Sequence, residues 1–213
     1  MKRAIILALT LFVLLGVGAQ ESLPPHTLDK ITIYSGKKKH KKLLGKGQRM
    51  PGARTVWTPD KIGAEVGSIV QVKHPFEVEE IIFGTLSCSI DSLVLRIELR
   101  STERLDKSIL DDTIMINVPK GSKQKFSIAP RRQLIIEPGE YFLSVVFSDC
   151  STAAKKRWSA SDNLSKQERY QMSKEAVQFP LYFKKSYTRG TEHDTLESIP
   201  VNLGLKVRGI EYR

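Results

Sequence analysis

The sequence predicts an all-β fold, an antiparallel β-sandwich of about eight to ten strands. The first observation behind this is the stretch Leu93 to Arg100, LVLRIELR. Leu93, Leu95, Ile97 and Leu99 fall on one face of it, and Val94, Arg96, Glu98 and Arg100 on the other. That two-residue period is the mark of a half-buried strand, with one face for the core and the other for water or a neighbour. The second is recurrence, because similar runs separated by turns follow one another from Gly67 to Ser148 at intervals usual for a sandwich. The third is size: 213 residues, 40% of them hydrophobic, are enough to bury one substantial core.

Taken in order, Met1 to Arg3 form a positive start, Ala4 to Val17 an apolar stretch, and Val17-Gly18-Ala19 a site of the kind a signal peptidase reads. The apolar stretch falls short of the ~20 residues a bilayer span needs. The expected organisation is a signal peptide over 1–19, a flexible lead-in over 20–29 marked by Pro24-Pro25, and a single sandwich domain over 30–213. The mature chain is expected to be exported, without a stable membrane span, and to be periplasmic, envelope-associated or secreted.

A first strand is expected at Lys30 to Tyr34, followed by a basic run from Lys37 to Arg54 that holds eight Lys or Arg and no acid. The formal charge of +11 falls to +9 without Lys2 and Arg3, and to about +1 without this run, so the basic character is local. No aromatic residue interleaves the lysines, and an exported chain seldom meets nucleic acid, so that partner is not expected. The run reads as a mobile, solvated hairpin loop, with Leu43 to Gln48 as a returning arm. An anionic envelope polymer is the partner it would suit. Met50 to Gly63, with two prolines and two glycines, reads as a connection containing a short edge strand around Trp57, which is expected to plug the core.

Strands are then expected at Ser68 to Val72, Phe76 to Gly84, Ser92 to Arg100, Asp112 to Val118, Gln124 to Ile128, Gln133 to Glu137 and Glu140 to Ser148. Phe76, Val78, Ile81 and Phe83 change parity across Glu79-Glu80, which predicts a bulge. Pro138-Gly139 supplies the turn before Tyr141, Leu143, Val145 and Phe147. The rhythm then stops, and residues 149–178 are polar, with a helical tendency only over Ser161 to Ala176. So long a connection inside a compact domain marks a lid, a binding loop or disorder. Strands resume at Phe179 to Lys184, Tyr187 to Arg189 and Val201 to Val207.

The block from Gly67 through Arg189, with VGSIVQVKHPFEVEEIIF, SLVLRIELRS, IEPGEYFLSVVF and FPLYFKKSYTR, resembles a jelly-roll module of secreted bacterial envelope proteins similar to carbohydrate-binding β-sandwiches. The shared features are the strand around Arg96, the Gly139 to Phe142 strand entry and Tyr187-Thr188-Arg189. The resemblance implies a jelly-roll-like sandwich and a non-catalytic envelope role.

No GxSxG elbow is present for a serine hydrolase, and no pair of carboxylates is singled out for glycoside hydrolysis. Glu192-His193-Asp194 reads as a solvated turn or a metal or acid/base group, and Asp111-Asp112 as strand-start acids or part of a calcium site. No metal or cofactor is expected. Cys88 and Cys150 form an even pair in an exported chain and are expected to form a disulfide. Sugar rings stack on exposed aromatic faces, and Trp158, Tyr170 and Tyr187 are the best placed. Trp158 and Tyr170, with Lys155, Lys156 and Arg157, are therefore the expected ligand-binding residues, suited to an acidic glycan. Trp158 anchoring its own segment, and Arg96 and Arg189 as cations with buried stems, are the plainer readings.

These readings define an exported, non-catalytic binding module, with glycan as the first ligand class. The alternative is a structural or protein-interaction component of the bacterial cell envelope. Protein recovered from its native host should have the intact mass of a chain starting at Gln20 or within a residue or two of it, and retention of Met1 to Arg3 would refute export.

Overall fold

The alternation in LVLRIELR becomes β5, Leu93–Ser101, in which Leu93, Leu95, Ile97 and Leu99 are each 0–1% exposed. The computed structural model describes residues 37–45, 47–110, 112–160, 164–191 and 193–213, which fall within one compact unit, Gly36–Arg213. The expected signal segment, lead-in and first strand lie outside these residues, as do Asp111 and Glu192. Within them the chain is an antiparallel all-β sandwich of thirteen strands, more than the eight to ten expected.

The first sheet is built on β4, Phe76–Cys88. One of its edges carries β13, Lys206–Tyr212, with β1, Lys39–Leu44, beyond it; the other carries β8, Gly121–Ile128, and β9, Leu134–Ile136. The second is built on β10, Gly139–Asp149, flanked by β3, Glu65–Val72, and by β5. β6, Arg104–Ser108, and β7, Ile114–Val118, follow along the far edge of β5. The predicted bulge is present, because Arg208 pairs Glu80 while Gly209 pairs Val78, which leaves Glu79 as the extra residue.

The strand that joins the sheets is β11, Val177–Arg189. Its first residues pair with the end of β4 and its last residues with the start of β3. β2, Gln48–Trp57, and β12, Glu197–Asn202, complete its two edges. The sequence divided β11 into two strands and merged β12 with β13. The chain breaks the latter at Gly204, whose φ of +65° is one that glycine adopts most readily, while Asn202 Oδ1 accepts from Gly204 N at 2.7 Å. Trp57 plugs the core as expected, edge-on to Phe179 with ring centroids 5.0 Å apart.

Leu143, Val145 and Phe147 of β10 enter the common core, yet Phe142, Ser144 and Val146 on its opposite face are buried too. That second face is covered by neighbours rather than water. The Tyr187 ring meets Phe142 edge-on at 5.5 Å, and fully buried Glu65 accepts hydrogen bonds from the Arg100 guanidinium and the Ser144 hydroxyl. Arg189 Nη2 lies 2.8 Å from the other Glu65 oxygen. Arg189 thus has a buried carboxylate as partner, and Arg96 pairs with Glu98 at 2.7 Å.

Three expectations are corrected. The basic run is not a loop, because its residues build β1 and the start of β2, which pair with β13 and β11 rather than with each other. Segment 149–178 is not irregular: it holds helix α1, Thr152–Ser159, and helix α2, Lys166–Met172, before β11 begins. Cys88 and Cys150 are free thiols, not a disulfide. Each is buried as a small apolar side chain, Cys88 Sγ donates to Ile90 O at 3.7 Å, and burial raises the pKa of both.

The clamp on β1 generates a prediction. Lys42 and Arg213 both pair with Glu211, whose side chain is 2% exposed. Burial pushes its pKa up, but the hydrogen bonds from Lys42 and Arg213 outweigh this and hold it below the ordinary 4.5. A depressed folded-state value stabilises above about 4.5, and that contribution is lost as pH falls through the folded value. Lys42→Gln should therefore cost about 1 kcal/mol at neutral pH, as for a partly exposed charged hydrogen bond. In denaturation at stepped pH the gap to the wild type should close below pH 4.5; a gap independent of pH would refute the clamp.

Candidate functional site

Following β4 along the edge it shares with β13 and β11 locates an opening in the first sheet. Ile82 is the last β4 residue paired with β13, through Lys206, and the pairing with β11 begins at Ser87 with Gln178. Between them, Phe83, Gly84, Thr85 and Leu86 have no strand partner on that edge among the described residues. In an antiparallel strand alternate residues turn both N–H and C=O to the same side, so two of these four direct their backbone groups into the opening.

The slot is a three-way junction of about 220 Å³. β4 forms one side, β11 at Pro180 and Tyr182 the second, and the β12–β13 corner at Leu203 and Gly204 the third. The junction is held by specific bonds: Leu205 N donates to Ser68 Oγ at 3.0 Å, and Asn202 Nδ2 to Lys184 O at 3.3 Å. Pro180, which has no N–H to offer a neighbouring strand, sits on the β11 side. The Tyr182 ring lies against Gly204, where a Cβ would come within 2.3 Å of its Cε2, so the glycine lets the ring settle at the wall.

Arg49, Lys206, Lys123 and Lys125 surround the slot, and among the described residues no Asp or Glu lines it. Arg49 is the register partner of Tyr182, and Lys125 that of Gly84. None of the four cations has an ion-pair partner among the described residues. Other cations of this sheet edge are neutralised, as with Lys42 and Arg213 on Glu211, and Arg208 on Glu80 at 3.0 Å. Two polar atoms at the slot are buried and unbonded, Thr85 Oγ1 and Gln124 Oε1.

The residues singled out from sequence stand elsewhere. Lys155 pairs with Asp149 at 2.7 Å and Arg157 with Glu175 at 2.6 Å; Lys156 is exposed on α1. Trp158 is half-buried, with its Nε1 enclosed and unbonded, and Tyr170 is 63% exposed on α2 with Lys174 Nζ 4.9 Å from its ring centroid. A cleft of about 660 Å³ opens between the helices, lined by Arg157, Leu164, Gln171 and Met172 among others, but neither aromatic ring lines it. Asp194 closes a turn by accepting from Thr191 N at 2.7 Å, and His193 is exposed. Among the described residues no cluster of three or more His, Cys, Asp or Glu could hold a metal, and no helix is long and apolar enough to cross a membrane.

Sequence reasoning missed the slot because it arises from where strands part. The one readable signal was the alternation of Lys123 and Lys125 with Gln124 and Phe126, which puts both lysines on one face of β8. No family, curated protein or solved structure matches this chain.

The unbonded Thr85 hydroxyl generates a stability test. A buried hydroxyl without a partner is costly, so Thr85→Val, which keeps the branched shape, should stabilise the free protein by about 1 kcal/mol. Chemical denaturation measures this, and a loss of comparable size would mean that the hydroxyl is bonded.

Proposed function

We propose that the protein is an exported, non-catalytic binding module of the cell envelope, and that it holds a glycan at the β4–β11–β13 slot. The observation that carries this reading is the combination at one place of an aromatic face, Tyr182, with unbonded donors and acceptors along an open strand edge. Saccharide recognition uses an apolar ring face against an aromatic side chain and fixes the hydroxyls with nearby polar groups. Export rests on the N-terminal charge, apolar stretch and small-residue site, and the jelly-roll likeness of the sequence belongs to the same proposal.

The competing reading, a protein-interaction component, would use an apolar surface. The large exposed apolar side chains Leu43, Val56, Met115 and Phe183 lie on four different strands. No two of them are register partners, so strand pairing does not line them up as the kind of strip that marks a protein interface.

A glycan-array screen of the wild type beside Tyr182→Ala and the Trp158→Ala, Tyr170→Ala pair tests the site. Losing one stacking face should weaken the best ligand by about tenfold for Tyr182→Ala, as an aromatic contact of roughly 1 kcal/mol or somewhat more implies. The helical pair should bind as the wild type does. Loss confined to the helical pair would move the site to α1 and α2, and no binding by any of the proteins would favour the interaction reading.

A further inference from the structure

We infer that the glycan taken by the slot is acidic, carrying carboxylate, sulfate or phosphate groups, and that Arg49 and Lys206 are its principal charge contacts. This rests on the slot being the glycan site. The slot concentrates positive charge that the described residues leave uncompensated. Arg49, Lys206, Lys123 and Lys125 converge on one opening from three strands, β2, β13 and β8, with no carboxylate among the described residues of its lining. Lys206 is half-buried at the corner where β13 leaves β4, so its charge is partly removed from water without an internal partner. Other half-buried cations have a partner: Lys42 has Glu211, Arg96 has Glu98, Arg189 has Glu65, and Lys184 donates to Ile69 O. A neutral sugar would leave the slot's excess positive charge in place. An anionic substituent would meet two flanking cations and the open β4 edge, where strand N–H groups are donors of the right kind for an oxyanion.

The arrangement also argues against a bare polyanion site. A sequence-tolerant polyanion groove repeats its aromatic platforms and tracks a backbone with many cations, whereas among the described residues this slot has four cations confined to a short opening and two aromatic residues, of which Phe83 is buried against Phe126 and only Tyr182 offers a face. A slot of about 220 Å³ has room for one charged residue of a polymer, with its ring on Tyr182 and its acid group toward Arg49 and Lys206.

The experiment compares dextran, carboxymethyl-dextran and dextran sulfate, with polyglutamate as a non-saccharide anion, by titration calorimetry at low and at physiological salt. The protein should bind the two charged dextrans, more weakly as salt rises, and bind dextran and polyglutamate at least tenfold more weakly. Arg49→Gln with Lys206→Gln should lower affinity for the charged dextrans by about 10- to 100-fold, as loss of two charge-assisted hydrogen bonds implies. Lys39→Gln with Lys41→Gln removes the same charge from exposed positions on β1 and should leave affinity within about twofold, as screening of distant surface charge implies. Lys123→Gln with Lys125→Gln, at exposed positions on β8, provides a second slot variant should the first fold poorly. Equal binding of dextran would overturn the acidic-ligand inference while leaving the glycan reading intact. Equal binding of polyglutamate would overturn it in favour of a general anion site. Equal losses in the slot and β1 variants would place the binding in diffuse surface charge, and no binding to any saccharide would remove the glycan reading itself.

Discussion

The path of β11 is the constraint on which the rest of the structure depends. One strand pairs with β4 at its start and with β3 at its end, and so belongs to both sheets of the sandwich. A strand can hold only one neighbour per edge at each residue, so β11 must release β4 before β12 can join it at Tyr182. The chain between β12 and β13 must in turn reach β4 beyond the point where β11 has left it. The slot is the geometric remainder of these three departures. Its position is fixed by Pro180, by Gly204 and by the bonds that hold the corner on β3.

The far end of β11 is anchored differently. Arg189 of β11 and Arg100 of β5 come from strands on either side of β3 to the same buried carboxylate, Glu65, and Ser144 of β10 completes its surroundings. Such clusters gain little net stability over apolar packing, but loss of one partner leaves a buried charge and typically costs roughly 3–5 kcal/mol. The cluster therefore specifies which strands meet there more than it strengthens the fold. With β11 fixed in register at Glu65, the strand reaches the slot 23 Å or so away, at ~3.3 Å per residue over the seven residues from Arg189 to Tyr182, with little freedom to slide.

Much of the fold was legible because alternation is a local property. The buried face of β5, the bulge across Glu79-Glu80 and the Trp57 plug all follow from neighbouring residues. What was not legible depends on partners distant in sequence. The Lys37 to Arg54 run looks like a loop until β13 and β11 are present to pair with it, and Lys42 finds Glu211 only through that pairing. The helices were partly readable: Ser165-Lys166-Gln167-Glu168 carries the capping-box pattern, and the box is formed, while Ser151 caps α1. The two cysteines invited a pairing that their burial in the core does not make. The slot had no signature of its own, since it is defined by missing pairs along β4, and the cations around it are spread from Arg49 to Lys206.

A ligand can enter the junction only if the β4 edge is open there. Residue-resolved amide exchange of the free protein measures this directly. Two alternate amides among Phe83, Gly84, Thr85 and Leu86 should exchange as fast as those of an unpaired edge, while the other two, bonded toward β8, and those of Ile81 and Ile82 should be protected. Uniform protection from Ile81 through Ser87 would mean that the edge is closed, and that the sheet has no slot to offer a ligand.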